Sequence, residues 1–122
     1  MFDYRNLKVW WKARAIVRSV YEVTARYPDT ERFGLVSQTR RAALSISANL
    51  AEGSGRRGAK EFARFVDIST GSAYELECLL VLANDLDMLP DGELRKAATD
   101  LDEVKRMLIG LSRRLRVVKA TE

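Results

Sequence analysis

The chain has 122 residues and a net charge of +4, from 21 basic and 17 acidic side chains, and it contains no histidine and one cysteine. The length fits a single domain, residues 1–122, that folds without disulfides or metals. The missing histidines exclude Ser-His-Asp and Cys-His catalysis and imidazole metal sites, and one cysteine excludes an internal disulfide and a cysteine-rich zinc site.

The first predicted helix covers about residues 7–27. Its inward face has residues at alternating spacings of three and four, namely Trp10, Ala13, Val17, Val20, Thr24 and Tyr27. This spacing is typical of one face of an α-helix. Pro28 should end the helix, because proline disfavours the helical conformation of the residue before it.

The second predicted helix covers about residues 30–52, with Asp29 or Thr30 as its N-cap. Its inward stripe comprises Phe33, Val36, Thr39 or Arg40, Ala43, Ile46 and Leu50. The helix is rich in small residues, which allow a neighbouring helix to approach closely. Gly53 is placed to end it in a left-handed conformation.

The third predicted helix covers about residues 59–87. Its inward stripe includes Phe62, Phe65, Ser69, Ser72 or Ala73, Leu76, Leu79 or Leu80, Ala83 and Leu86. A glycine inside a helix is unfavourable by about 1 kcal/mol relative to alanine. We expect a close helix crossing at Gly71 and Ser72 to offset that loss. Cys78 lies beside the stripe and is interpreted as a small apolar filler.

The fourth predicted helix covers about residues 91–118 and has the most regular pattern. Its apolar positions are Leu94, Ala97, Leu101, Val104, Leu108, Leu111, Leu115 and Val118. Four helices of similar length joined by short loops predict an all-α fold, an antiparallel up-down-up-down four-helix bundle. No alternating apolar pattern is long enough for a strand.

Charge is divided unevenly among the four segments. Residues 1–28 carry +4, residues 29–57 carry +2, residues 58–89 carry −4 and residues 90–122 carry +2. The third helix is therefore acidic among basic neighbours, which favours pairing of helices within a bundle or between subunits.

No apolar segment is long enough to cross a bilayer. The longest uncharged apolar run, between Glu77 and Asp85, is far shorter than the roughly 20 residues required. No apolar stretch follows the charged N-terminal residues, so no targeting segment is visible. A single cysteine adds a hint of a reducing compartment. We expect a soluble, cytoplasmic protein with no membrane partner.

Several short motifs are specific when taken together. They read NLKVW at 6–10, FGLVSQTRRAA at 33–43, SISANLAEG at 45–53, KEFARF at 60–65 and GSAYELE at 71–77. In this pattern the chain resembles the four helix bundle protein family, also called the 23S rRNA intervening-sequence protein family. It departs from the pattern at Asn6, Thr39 and Ser47, where the family has aspartate, an aliphatic residue and often proline. Because proline kinks helices, Ser47 leaves open whether the second helix bends there.

The resemblance implies a homo-oligomer, a ring of five bundles, with no enzymatic activity and no cofactor. Accessory variability determinant proteins of diversity-generating retroelements are similar to the same family. For these relatives the resemblance implies binding to nucleic acid, RNA or DNA, and to a reverse transcriptase.

The best candidate for nucleic-acid binding is a basic cluster around the loop between the second and third helices. It comprises Arg40, Arg41, Arg56, Arg57, Lys60 and Arg64. Arginine and lysine would contact phosphates, and Phe62 or Phe65 would stack on bases. In the alternative interpretation, Arg40 or Arg41 pairs with Glu52, Glu75 or Glu77, and the two phenylalanines belong to the core.

Polar residues near the small-residue crossing predict a structural network between the second and third helices. Its candidate members are Gln38, Asn49, Glu52, Ser72 and Glu75. No nucleophile lies beside a general base, so we expect no catalytic site. No metal site is expected either, because the Glu-x-x-His motif of bundle metal sites is missing. Tyr4 and Trp11 are candidate interface aromatics.

The sequence thus supports two hypotheses. The first is a non-enzymatic homo-oligomeric bundle that scaffolds or binds nucleic acid, or an enzyme acting on nucleic acid, through its basic surface. The alternative is an interaction module with no role in nucleic-acid binding, in which the acidic third helix and its basic neighbours serve subunit pairing.

Overall fold

The computed structural model describes residues 2–121, with side chains for residues 2–118, and this range contains helices and turns but no strand. The four long helices are α1 (Lys8–Thr24), α2 (Ser37–Ser54), α3 (Ala59–Asp85) and α4 (Asp91–Thr121). Short 3-10 turns at Tyr4–Asn6 and Asp29–Glu31 and a π-helical turn at Arg32–Val36 precede α1 and α2. The predicted all-α fold with four helices is confirmed.

Each long helix packs against two others, as in a bundle. The α3 helix packs extensively on α2 and α4, and α1 packs on α2 and less closely on α4. The core that they enclose is apolar and includes Ala13, Val20, Ile46, Leu50, Phe62, Leu76, Leu101 and Leu108. The inward stripes predicted for the third and fourth helices supply much of this core. The prediction that Leu86 faces inward is wrong, because α3 ends at Asp85 and the Leu86 side chain is 58% exposed.

The α1 helix ends three residues before the predicted boundary. Its last residue, Thr24, donates its hydroxyl to the Val20 carbonyl at 2.7 Å. The backbone then tightens, since Tyr27 N–H donates to the Thr24 carbonyl three residues earlier. Tyr27 still reaches the core and is buried.

The prediction that Phe33 faces the core is wrong, because its side chain is 90% exposed. The helical path is broken at Gly34, whose φ and ψ are both −107°. Periodicity counted back from α2 therefore does not apply before Ser37. The Glu31 carboxylate accepts a hydrogen bond from Leu35 N–H, and the predicted caps Asp29 and Thr30 lie in the preceding 3-10 turn.

The prediction that Gly53 ends its helix in a left-handed conformation is also wrong. Gly53 is a buried residue within α2, and it is Gly58, just before α3, that has a φ of +82°. Gly53 is needed for a different reason: Phe62 and Phe65 of α3 pack directly against it.

The close crossing predicted at Gly71 and Ser72 is found at Ser72, which is buried and bonds to Ser45 of α2 at 2.8 Å, but Gly71 takes no part in it. A Cβ built on Gly71 would have no atom within 4 Å, apart from neighbours in its own chain segment. Cys78 was predicted to fill space beside the core, but its side chain is exposed. Both residues lie on the outer face of α3.

The α2 helix continues through Ser47 without interruption from Ser37 to Ser54. The Ser47 hydroxyl donates to the Leu44 carbonyl at 3.1 Å. A serine at this position keeps the backbone N–H that a proline would remove, so the helix retains its hydrogen-bond ladder.

Candidate nucleic-acid interface

The turn between α2 and α3 brings four of the predicted basic residues together. Gly58 adopts a left-handed conformation that lets the chain reverse and start α3 at Ala59. The guanidinium groups of Arg56 and Arg64 lie 4.9 and 4.8 Å from the centre of the same Phe65 ring. Contacts of this kind attract a cation to the aromatic face and fix both arginines beside the turn.

Two of these four cations are already paired with acids. Arg56 binds Glu52 at 2.6 Å, and Arg64 binds Glu61 at 2.8 Å. The hydrogen bond from Arg64 lowers the pKa of Glu61, and the same contact raises the pKa of Arg64. Arg57 and Lys60 are exposed and form no ion pair with any side chain that the structure describes.

The two phenylalanines do not offer faces to a nucleic-acid base. Phe62 is fully buried and stacks against Phe2 at 5.0 Å between ring centres. Phe65 is buried beneath the two arginines. The interpretation of both residues as core side chains is confirmed, and base stacking by either is not available in this arrangement.

Arg40 lies apart from the cluster at the turn. Its guanidinium donates to the Thr24 hydroxyl at 2.8 Å and stacks on the Tyr21 ring at 4.3 Å, so it ties α2 to α1. Fourteen residues of α2 separate Arg40 from the end of that helix, which is roughly 20 Å at the rise of an α-helix. Arg41 is exposed beside it. The six predicted residues therefore fall into two groups.

The pairing of Arg40 or Arg41 with glutamates is not found among the described side chains. Glu52 pairs with Arg56 instead, and Glu77 pairs with Lys105. Glu75 is exposed on α3. Arg40 is held by hydroxyl, carbonyl and aromatic groups rather than by a carboxylate.

A polar network does join α2 and α3, with a different membership from the predicted one. Ser45 is at its centre, bonded to the Ser72 hydroxyl at 2.8 Å and to the Asn49 amide at 2.9 Å. Ser69 donates to the Ile46 carbonyl at 2.9 Å. The remaining predicted members, Gln38, Glu52 and Glu75, are exposed and lie outside these bonds.

The aromatic residues near the N-terminus differ in exposure. Tyr4 is half-buried and packs against Trp10 at 4.8 Å. Trp11 is 48% exposed, although its indole N–H donates to the Arg5 carbonyl at 2.9 Å. Trp11 is thus about half exposed on the surface of α1, with the Arg14 guanidinium 5.0 Å from its ring centre.

Two polar links join α3 and α4 that were not predicted from the sequence. Asp67 accepts a hydrogen bond from Ser112 at 2.7 Å and also pairs with Arg116. Lys105 is buried, contacts the Tyr74 ring and binds Glu77 at 2.9 Å. The sequence did contain an indication of the second link, because the charged Lys105 directly follows Val104, one of the apolar positions predicted for the fourth helix.

A cavity of about 310 Å³ lies between α1 and α4. Its apolar walls include Ile16, Val20, Leu80 and Leu101, and charged residues, among them Arg26, Glu93, Lys96 and Asp100, also line it. No three acidic or cysteine side chains in the described part of the chain are grouped so that they could hold a metal ion. Within residues 2–121, no helix is both long enough and apolar enough to span a membrane.

Comparison with known proteins agrees with this architecture. The family model described as 23S rRNA-intervening sequence protein matches residues 5–110. No curated protein matches the chain. Because the family match covers most of the sequence and the structure has four packed helices, the chain belongs to the 23S rRNA-intervening sequence protein family.

Proposed function

We propose that the protein is a non-enzymatic homo-oligomeric four-helix bundle that binds the phosphate backbone of RNA or DNA with one basic end. The observation that carries the proposal is the turn between α2 and α3. There Arg57 and Lys60 are exposed and have no acidic partner among the described side chains, and they lie beside two arginines held on Phe65. The family match suggests a small protein without enzymatic activity.

We infer that neighbouring helices alternate in direction. Three contacts support this arrangement. Near the start of the chain, Phe2 N–H donates to the Ser54 carbonyl at the end of α2. Lys12 in the first half of α1 pairs with Glu103 of α4, whereas Arg26 beyond the end of α1 pairs with Glu93 near the start of α4.

With alternating helices, the bundle is polarised in charge along its length. One end comprises residues 2–14, 47–70 and 103–118, which carry 13 basic and five acidic side chains. The opposite end comprises residues 15–46 and 71–102, which carry seven basic and 11 acidic side chains. The turn with Arg57 and Lys60 lies at the basic end, which gives a phosphate backbone a local concentration of positive charge.

Phosphate binding at this end follows from ordinary electrostatics. Each phosphate neutralised by lysine or arginine releases counterions, so affinity falls as salt rises. Arg57 and Lys60 can bind without first breaking an ion pair with a described side chain. Contacts to phosphate carry no sequence information, so we expect little discrimination between sequences.

A fluorescence-anisotropy titration with a labelled 20-nucleotide RNA, and with a DNA of the same length, tests the proposal. The double variant Arg57→Glu with Lys60→Glu should bind at least tenfold more weakly at low salt and with a shallower salt slope. The matched control is Arg32→Glu with Arg95→Glu, which makes the same charge change at the other end. We expect the control to change affinity about threefold or less.

Two results would contradict binding at the basic end. One is wild-type protein whose affinity is undetectable at low salt or insensitive to salt. The other is an equal loss of affinity in both double variants, since this would indicate attraction by net charge alone. Absence of binding with an intact oligomer would favour the second candidate function, a protein-interaction module. That candidate is favoured by the exposed apolar side chains on α3.

The number of copies in the oligomer can be measured independently of nucleic-acid binding. The family resemblance implies five copies, and light scattering at moderate salt should give the mass of five chains. If the acidic α3 pairs with basic helices of a neighbouring copy, the mass should fall as salt is raised. We place the protein in the cytoplasm, where structured RNA is abundant and an exposed thiol such as Cys78 stays reduced.

A further inference from the structure

The outer face of α3 carries an apolar stripe that nothing in the bundle covers. Its residues follow one another at spacings of three and four: Ile68, Gly71, Glu75, Cys78, Leu82 and Leu86. Ile68, Leu82 and Leu86 are 41%, 45% and 58% exposed. This spacing aligns side chains along one helix face, as at the seam of a coiled coil. We call these six residues the α3 stripe.

Gly71 lies in the first third of the α3 stripe and makes no close contact within the described part of the bundle. A Cβ built there would have no atom within 4 Å, whereas one built on Gly53 would collide with Phe65. Glycine inside a helix is unfavourable, and its usual compensation is the close approach of another group. Gly71 therefore leaves a notch on an exposed apolar surface, which no residue in the described part of the chain fills.

The outer face of α1 carries a stripe of aromatic and basic residues. It comprises Trp11, Arg14, Arg18 and Tyr21, again at spacings of three and four. The Arg14 guanidinium lies 5.0 Å from the Trp11 ring centre, and both aromatic rings are exposed in part. Arg14 and Arg18 form no ion pair with the described side chains. We call these four residues the α1 stripe.

The two stripes are complementary in charge and chemistry. The α1 stripe carries the cations Arg14 and Arg18, and the α3 stripe carries the exposed carboxylate of Glu75, for which no ion pair with a described side chain is found. Tryptophan, tyrosine and arginine are the residues that most often dominate the binding energy of protein interfaces. At the rise of a helix the α1 stripe, from Trp11 to Tyr21, is about 15 Å long and the α3 stripe, from Ile68 to Leu86, is about 27 Å long, so the first fits within the second.

We propose that the α3 stripe of one copy binds the α1 stripe of a second copy. Arg14 and Arg18 then lie against Glu75, and an aromatic ring of α1 packs over the notch at Gly71. This inference rests on the homo-oligomer of the proposed function and specifies its interface. The contact is heterologous, because each copy uses two different surfaces, so successive copies add in one sense and can close into a ring.

Two variants that each block one stripe test the proposal. Arg18→Glu places a negative charge on the α1 stripe, and Leu82→Lys places a positive charge on the α3 stripe. Both positions are exposed, so the fold should survive, and circular dichroism checks this. By light scattering, each variant alone should lose the oligomer of the wild type and give the mass of one chain.

A mixture of the two variants is the decisive measurement. Each still has one intact stripe, and the intact α1 stripe of one fits the intact α3 stripe of the other. We therefore expect a 1:1 heterodimer and nothing larger. A mixture that stays monomeric, or a variant that keeps the wild-type mass, would overturn the proposal. In the second case the oligomer of the proposed function would stand and only this interface would fail.

A glycine substitution separates assembly from folding. Gly71→Gln favours the helix and fills the notch, so we expect an intact helical spectrum with at least a tenfold weaker association. Gly110→Gln in α4 is the control, since the nearest atom to a Cβ there is the flexible end of Arg114 at 3.5 Å. If both variants associate like the wild type, Gly71 is not part of the contact and the proposed seating of the ring is wrong.

Discussion

A methyl group built on Gly53 would lie 2.5 Å from the Cβ of Phe65, a distance at which two carbon atoms overlap. The glycine in α2 and the phenylalanine in α3 thus set how closely these helices approach. Phe65 in turn supports Arg56 and Arg64 on its ring. The packing of the core and the position of the candidate phosphate-binding cations are therefore linked through one residue.

Replacing Gly53 by alanine should lower the free energy of unfolding. Overpacking of a well-filled core costs about 1–3 kcal/mol, although alanine's higher helix propensity recovers up to about 1 kcal/mol. Urea denaturation measures the difference. Gly110→Ala is the control and should raise stability by up to about 1 kcal/mol, because space is open there. Equal effects at the two glycines would show that the contact with Phe65 is not tight.

The pair between Lys105 and Glu77 predicts an asymmetric response to mutation. Glu77→Gln leaves the buried Lys105 ammonium without its counter-charge, 2.9 Å away in the wild type. Because the glutamate is partly exposed, we expect a loss of about 2 kcal/mol, below the range for fully buried pairs. Lys105→Met removes the charge and keeps the apolar stem, so its effect should stay within about 1 kcal/mol. Equal losses in urea denaturation would instead mean that the pair itself stabilises the fold.

Tyr27→Phe should leave stability unchanged or raise it by about 1 kcal/mol. The Tyr27 hydroxyl is buried and has no hydrogen-bond partner among residues 2–118, and such a group is unfavourable in the folded state. Its burial, reinforced by the negative charge of Glu93, raises the pKa of Tyr27 above its ordinary value of 10.0. The unfolded chain then ionises first, so wild-type stability falls as pH rises above about 10.

The prediction for Tyr27 is checked by unfolding curves of the wild type and of Tyr27→Phe, recorded between pH 8 and about pH 11. The phenylalanine variant should lose less stability over this interval than the wild type. A variant that loses more than about 1 kcal/mol at pH 8 would show that the hydroxyl has a partner in solution, such as an ordered water.

The ion pair between Lys12 and Glu103 predicts part of the acid sensitivity. The hydrogen bond from Lys12, at 2.6 Å, lowers the pKa of Glu103 below its ordinary value of 4.5. A group with a lowered folded pKa stabilises the protein above its unfolded pKa, and this is lost as pH falls through the folded value. Glu103→Gln should therefore flatten the fall in thermal midpoint between about pH 5 and pH 3. Parallel curves for the two proteins would contradict the pairing.

Periodicity predicted the interior of α3 and α4 well, because apolar residues repeated along one face leave little choice about which face is buried. It failed for Phe33, since a break at Gly34 resets the helical register and nothing in the spacing announces that break. The predictions for Gly53 and Gly71 failed as well. Gly53 ends an apolar pattern and resembles a helix terminus, yet Phe62 and Phe65 from a distant segment pack on it.

The sequence predicted which basic residues form the candidate site, but it did not predict that they lie in two separate groups. Arginines of α2 and of the following turn are close in sequence, but α2 holds them about 20 Å apart. The ion pairs that leave Arg57 and Lys60 available depend on rotamers and on helix spacing. The same is true of the bond between Ser45 and Ser72, which required the α2–α3 crossing to be known.

The sequence by itself determined the all-α class, the four helical segments, the family and the acidic character of the third helix. These follow from local periodicity, proline and glycine positions, motifs and charge, none of which depends on distant contacts. The tertiary structure decided which side chains are free to act. The packing of α3 against α2 buries Gly53 and leaves Gly71 open. The packing of all four helices leaves the outer faces of α1 and α3 exposed. Exposure is a property of the whole set of helices, because a face is covered only when another segment comes to lie on it.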